Sequence, residues 1–245
     1  MVLAAEWITH NGSLTADNRD YCSVALRDNA TLYVIADGST QSIQSGDLAN
    51  FFVRSLADQF LLQPLWTSAE QVANYINQFS LSLNRMYSTA RVSFLVLLDF
   101  GGSEVFTLHA GDCRLGRSTN AKSILWLTRP HTLANAIDDI DHKNLVKHDC
   151  RHILTRSLRS GHKCEIELGK HTFQKDDCLL LATDGFWAEL DERQQQEFRS
   201  HQSLPSSSIS DDMSCLFISS CEKDNLKIQG NGNFYLVDIN SLAKE

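Results

Sequence analysis

The sequence predicts an α+β fold in which runs of strands bracket two consecutive helices. Three observations carry this. Short apolar segments bounded by turn residues recur at Tyr21–Leu26, Thr31–Ala36, Val92–Leu98 and Cys178–Thr183, the length and composition of buried strands. Two longer stretches, 43–62 and 68–87, repeat apolar residues in steps of three and four, the period of a helix with one buried face. No linker-like shift in composition and no internal repeat interrupts the chain, so residues 1–245 are expected to form a single domain, long enough to bury a sizeable core.

Bulk properties exclude several function classes. The formal net charge is −8 and the pI near 5.6. An acidic chain is a poor partner for nucleic acid or an anionic membrane surface, which want a patch of lysine and arginine. The seven cysteines, at 22, 113, 150, 164, 178, 215 and 221, are odd in number and include no C-x-x-C pair. This usage predicts a reducing, cytoplasmic setting without a disulfide framework or structural zinc. The opening M-V-L-A-A-E-W lacks the basic and apolar regions of a signal peptide. No run approaches the roughly 18 apolar residues of a spanning helix.

Taken in order, residues 1–40 read as strands separated by a polar loop, Thr9–Asp20. In 43–62, Leu48, Phe52, Leu56 and Phe60 form one helical stripe; in 68–87, Val72, Ile76, Phe79, Leu83 and Met86 form another. Ser68 with Gln71 makes a capping box for the second helix. Consecutive helices after strands place both on a sheet face. Strands return from 91 to 128, with Glu104–Ala110 alternating between two faces and Gly111-Asp112 at its end. His131–Leu145 is expected to be helical. The acids and histidines in and after it (Asp138, Asp139, Asp141, His131, His142, His148, His152) match no standard metal set and read as a solvated segment or a flap over a site. Asp191 caps a short helix, Glu192–Arg199. Ser203–Ser210 is a Ser/Pro loop, Asp211-Asp212 opens the strand Met213–Ser219, and Leu226–Ile239 reads as a final hairpin around Gly230-Asn231-Gly232.

The chemistry is carried by acids. Leu32–Ser39 (L-Y-V-I-A-D-G-S) and Cys178–Leu190 (C-L-L-L-A-T-D-G-F-W-A-E-L) each deliver an Asp-Gly to a strand end. One such pair alone reads as a hairpin turn. Two matched copies, with Asp112 and Asp211 at further strand ends and Asp20 just ahead of another, read as carboxylates brought together around divalent metal. Carboxylate oxygens without nearby histidine or thiolate suit Mg²⁺ or Mn²⁺ rather than zinc. Two such ions activate a shared water and polarise a phosphoryl oxygen, which is phosphate-ester hydrolysis without a protein nucleophile. The sequence has no G-x-S-x-G and no G-x-x-x-x-G-K-[ST].

The order of these segments resembles the metal-dependent protein phosphatase 2C family over nearly the whole chain. N-R-D at Asn18–Asp20 is similar to the family's N-E-D or N-Q-D, and V-I-A-D-G-S at 34–39 to its V-A-D-G. S-F-L-V-L-L at 93–98 stands at its Thr-rich strand. H-A-G-D-C-R at 109–114 is similar to G-D-S-R, H-I-L-T-R-S-L at 152–158 to L-T-R-A-L, L-L-L-A-T-D-G-F-W at 179–187 to L-L-L-x-S-D-G-L-W, and D-D-M-S at 211–214 to D-N-x-T/S. The Ser after the first Asp-Gly and the Asp-Asp near the end are closest to a divergent bacterial branch. The resemblance implies a four-layer αββα sandwich, two packed antiparallel sheets with helices on both outer faces. It implies that Asp37 bridges two Mn²⁺ or Mg²⁺ ions, that the Gly38 carbonyl completes the second, that Asp184 and Asp211 hold the first, that Asp20 orients the attacking water, and that Asp112 serves a third, weaker ion. The implied activity is hydrolysis of phosphoserine or phosphothreonine in a protein substrate, itself a kinase-linked target.

Three departures bear on this. Thr15 stands where many relatives carry the arginine that holds phosphate, leaving Arg19 as the candidate substitute. Ala188 replaces the family's Asp after the D-G-x-W segment, which weakens the third metal site. Ser39 stands where a family histidine acts as acid. The alternative expectation is a catalytically degenerate binding or sensor module.

Overall fold

In a computed structural model, the described residues are 2–13, 16–27, 29–83, 86–119, 123–174, 176–200, 210–221 and 227–239. The chain begins with strands β1 (Val2–His10), β2 (Asp20–Arg27) and β3 (Ala30–Gly38), then helices α1 (Gln44–Leu62) and α2 (Ala69–Ser82). Strands β4 (Val92–Asp99), β5 (Glu104–Ala110), β6 (Arg114–Thr119) and β7 (Ile124–Trp126) follow, then the short helix α3 (His142–Leu145). The remainder is β8 (Glu167–Thr172), β9 (Asp177–Ala182), α4 (Asp184–Trp187), α5 (Glu192–Arg199), β10 (Met213–Cys221), β11 (Ile228–Gly230) and β12 (Phe234–Asp238).

The strands form two six-stranded sheets, ordered β11-β1-β10-β9-β6-β7 and β12-β2-β3-β4-β5-β8. Period-two alternation sorts the side chains between layers. In β3, Tyr33 and Ile35 point between the sheets, where they meet Leu95, Leu97, Leu179, Leu181 and Leu216. Val34 and Ala36 point outward to Phe52, Leu56 and Phe60 of α1 and to α2's Val72, Ile76 and Phe79. Strand β4 is buried along its whole length, which is why its sequence is apolar throughout rather than alternating. On the other outer face, Leu180, Cys215 and Phe217 pack against Phe186, Trp187 and Phe198 of α4 and α5. The result is the expected α+β sandwich with helices on both outer faces.

Four expectations are corrected. The sheets are mixed, not purely antiparallel, because β11 joins β1 and β12 joins β2 in parallel. The tail is therefore no hairpin: Gly230–Asn233 carries the chain from one sheet to the other. Helix α2 has its capping box, Gln71 Oε1 accepting from Ser68 N at 3.1 Å, but ends at Ser82. Met86 thus leaves the stripe and is exposed. Finally, 131–145 is not one helix. A 3-10 turn at Leu133–Asn135 and α3 break it, because the Asp141 side chain accepts from Lys143 N and Asn144 N and starts a new helix there. The Ser/Pro loop expected at 203–210 lies outside the described residues, as does Thr15, except for Ser210.

Candidate metal centre

Strand register brings the acids to one end of the sandwich. Asp20 and Asp37 are direct partners across β2 and β3, and Asp37 is in turn opposite Ser93 of β4. Residues 111–113 cross from β5 to β6, and so from one sheet to the other, at the same end. There Asp112 N and Cys113 N both donate to Ser93 Oγ, at 2.7 and 2.9 Å. Gly111 has φ +108°, and a Cβ on it would lie 2.2 Å from Ser93 Oγ; only glycine fits. Strands β9 and β10 pair Ala182 with Cys215, which sets Asp184 beside Asp211. Asp184-Gly185 opens α4 rather than a hairpin. A Cβ on Gly185 would lie 2.1 Å from the Asp212 carbonyl oxygen, so here glycine serves close approach of two backbones.

A cleft of about 260 Å³ is lined by Asp37, Asp112, Asp184 and Asp211, together with Ser39, Thr40, Arg91, Ser93, His152 and Ile153. Asp20 is buried behind it and accepts from Thr183 Oγ1 at 2.8 Å. Burial, then the neighbouring charge of Asp212, holds the Asp20 carboxyl well above its usual range. Asp37 is raised well above it too, by burial and then by Asp20, Asp184, Asp112 and Asp211 in turn. Burial lifts Asp112 to about 6. Asp184 and Asp211 are each pushed up to about 7, by burial first and then by Asp112 and Asp184 respectively. Such crowding of carboxylates is costly without cations. Asp112 Oδ1 is buried with no hydrogen-bond partner among the described residues. An all-oxygen donor set with an unfilled buried acceptor fits hard divalent cations.

Several residues here had no separate signal in the sequence. Asp212 clamps the loop that carries the N-R-D segment: its Oδ1 accepts from Gly12 N and its Oδ2 from Arg19 N, both at 2.8 Å. Glu189 accepts from Ser210 and from Asp211 N. Arg151 is buried, with its guanidinium 3.5 Å from Asp184 Oδ2 and 3.9 Å from Glu189 Oε1. Trp187 Nε1 donates to the Asp112 carbonyl at 2.9 Å, and the Arg114 guanidinium lies over both its ring and that of Trp126. Trp187, Arg114, Asp212 and Glu189 lie inside the motifs D-G-F-W, G-D-C-R and D-D-M-S and the stretch Cys178–Leu190, but nothing local in those motifs indicates these contacts.

Arg19 is not brought to the cleft wall. Its stem packs against Gly46, and its guanidinium donates to the carbonyls of Ser39, Thr40 and Ser42 at 3.3, 3.3 and 3.0 Å. The loop after β3 leaves those carbonyls without strand partners; those of Ser39 and Ser42 also accept from Ser42 N and Ser45 N, and Arg19 joins all three.

The acid–histidine segment disperses. Asp139 pairs with Arg129, Asp141 caps α3, and His148 accepts from Cys150 N. His142 lies against Trp126 and Trp187, and His152 reaches the cleft, 4.0 Å from Asp184 Oδ2. Among the described residues, His109, His131 and Glu167 alone place three donor atoms within 4.8 Å of one another. The two rings are stacked, 4.5 Å apart and within 10° of parallel, so no ion can lie in both ring planes. Gly111 N donates to His131 Nδ1, which leaves the proton on Nε2 to donate to Glu167. Burial holds His109 at about 4. This cluster braces the Gly111 turn. A larger cavity, about 400 Å³, lies under α5 beside Leu180, Phe186 and Phe217 and touches none of the cleft acids.

No family model matches the chain. In sequence it is 26% identical over 207 residues to the serine/threonine phosphatase stp of Listeria monocytogenes serotype 4b (strain F2365), covering 79% of this chain and 81% of that one. In structure it is similar to the serine/threonine phosphatase Stp1 from Staphylococcus aureus, with TM-score 0.75, 20% identity, and 91% and 96% of the two chains covered. It is similar also to the PPM Ser-Thr phosphatase MsPP from Mycobacterium smegmatis, with TM-score 0.73, 20% identity, and 90% and 99% covered. The fold is that of the PPM, or protein phosphatase 2C-like, phosphatases. The chain's relatives in sequence are named serine/threonine phosphatases of Listeria species.

Proposed function

We propose that this protein is a metal-dependent serine/threonine protein phosphatase. The observation that carries the reading is the convergence of Asp20, Asp37, Asp112, Asp184 and Asp211 on one end of the sandwich. Asp37, the Gly38 carbonyl, Asp184 and Asp211 would hold two Mg²⁺ or Mn²⁺ ions, with Asp112 available to a third. Such ions, when bound, activate water and neutralise charge on a phosphoryl group.

The chain's own residues do the rest. The carboxylates concentrate negative charge where only cations relieve it. Thr183 holds Asp20 in place to orient a water in the cleft. Ser93 and Trp187 hold the Asp112 turn rigid, and Asp212 ties the N-R-D loop to the start of β10. The cleft opens to solvent past Ser39, Thr40 and Ile153, an entrance suited to a side-chain phosphate on a protein rather than a fully enclosed metabolite. The sequence relatives are named serine/threonine phosphatases, and we assign this chain the same substrate class, a phosphorylated protein supplied by a kinase. The whole chain is assigned to one domain. The cysteine usage, odd in number and without a C-x-x-C pair, supports a reducing, cytoplasmic compartment. Among the described residues no helix is long and apolar enough to cross a membrane.

The test is hydrolysis of p-nitrophenyl phosphate and a phosphothreonine peptide by chelated protein, titrated with Mn²⁺ and Mg²⁺, for wild type and Asp184→Asn. Turnover by wild type only with metal, lost in the variant, is the expected result. A wild type inactive on both substrates at saturating metal would overturn the enzyme in favour of a binding module.

A further inference from the structure

We propose that Arg91 is the residue that grips the phosphate dianion at this cleft. The inference rests on the phosphatase reading and names the group that selects its substrate's phosphate. Around five carboxylates a dianionic phosphate needs positive charge on its outward oxygens. A guanidinium supplies that as two parallel donors matched to phosphate.

The position of Arg91 is fixed by its backbone. Its carbonyl accepts from Ser39 N at 3.0 Å, and its N–H donates to Ser45 Oγ at 3.2 Å. The next residue, Val92, pairs with Gly38. Arg91 therefore stands at the end of β3 where Asp37 meets the cleft, and its side chain lines that cleft. The side chain is exposed, and among the described residues its guanidinium has neither an ion pair nor a hydrogen bond.

The other arginines nearby are spent. Arg19 holds three backbone carbonyls. Arg151 is buried against Asp184 and Glu189. Arg156 faces Glu165, Glu167 and His131. His152, the other basic side chain on the cleft wall, is turned to Asp184. Arg91 alone among these combines access, a fixed base and a free fork. It thus takes the role that Thr15, standing in the sequence where many relatives carry an arginine, leaves open.

The experiment measures binding of inorganic phosphate to Mn²⁺-loaded wild type, Arg91→Ala and Arg91→Lys by calorimetry, beside KM and kcat on p-nitrophenyl phosphate. Loss of a charge-assisted bidentate contact is expected to weaken phosphate binding and raise KM about 10- to 100-fold. kcat should stay within about threefold, with lysine recovering part of the loss because it offers one point of charge. The Mn²⁺ concentration for half-maximal activity and the melting temperature should not move, since Arg91 holds no carboxylate and is exposed. Phosphate binding and KM within twofold of wild type in Arg91→Ala would overturn the assignment, as would a wild type that binds no phosphate. A wild type that binds phosphate through Arg91 yet turns nothing over would overturn the phosphatase and leave the anion site standing.

Discussion

Two regions of this protein are rich in aspartate, and they have opposite fates. The ring at the cleft (Asp20, Asp37, Asp112, Asp184, Asp211) sits at strand ends, largely out of water and mostly without cationic partners. The loop acids (Asp138, Asp139, Asp141) lie between 3-10 turns and a four-residue helix, where each finds solvent, an arginine or backbone N–H groups. Residue type does not distinguish them. What differs is whether the backbone is pinned from outside its own segment, by a strand ladder at Asp20 and Asp37 or by contacts from distant residues at Asp112, Asp184 and Asp211. A strand-end acid cannot move to satisfy itself, whereas a loop acid folds its own backbone around its side chain. Immobilised and underpaired acids store the electrostatic cost that a cation repays.

The sharpest test of that contrast is Asp37→Asn. Asp37 would hold both ions, so the variant should lose at least about a hundredfold in metal-dependent turnover, a few kcal/mol of transition-state stabilisation, and the neighbours that act most strongly on it are acids. In chelator it should nevertheless melt higher than wild type, by about 1 kcal/mol of stability, because a half-buried like charge has gone. A lower melting temperature in chelator would mean the ring is not frustrated.

The next effect is in pH. Asp184 and Asp211 have folded-state values near 7, raised above their unfolded range. Each binds its proton more tightly when folded, so its contribution is present at low pH and is lost as pH rises through about 7. The histidines work the other way, but their values are lowered, so their effect is complete by about pH 6.5. Metal-free protein should therefore lose stability between about pH 6.5 and 8, by about 1–2 kcal/mol. Mn²⁺ should abolish the slope. A melting temperature flat across that window in chelator would break the comparison.

The smallest effect is expected in the loop. Asp141→Ala removes the α3 cap and should cost about 1 kcal/mol of stability at most, while turnover and the Mn²⁺ requirement stay within twofold. A changed metal requirement would show that the loop acids share the site's work.

Much of this was legible beforehand for one reason: strand-end Asp-Gly pairs are local features, and local features survive in sequence. Both Asp-Gly pairs, Asp112 and Asp211 land at one end of the fold. The α5 cap and bounds fall where Asp191 and the following residues set them. Arg19 misled because a sequence shows that an arginine is near a site but not which carbonyls it must satisfy. The clamping roles of Asp212, Glu189 and Arg151 have no local signal because their partners lie far along the chain, as with Asp212 and Gly12.

By itself the sequence determined where most strands and the two long helices fall, which of their faces are buried, and which acids stand at strand ends, since periodicity and turn chemistry act over a few residues. Only the tertiary structure decided that the chain's last two strands part to join different sheets in parallel, that Asp20 opposes Asp37, and that Arg91 rather than Arg19 faces the cleft. Those outcomes depend on register and on competition for partners between distant segments, and no window of sequence contains both sides of that competition.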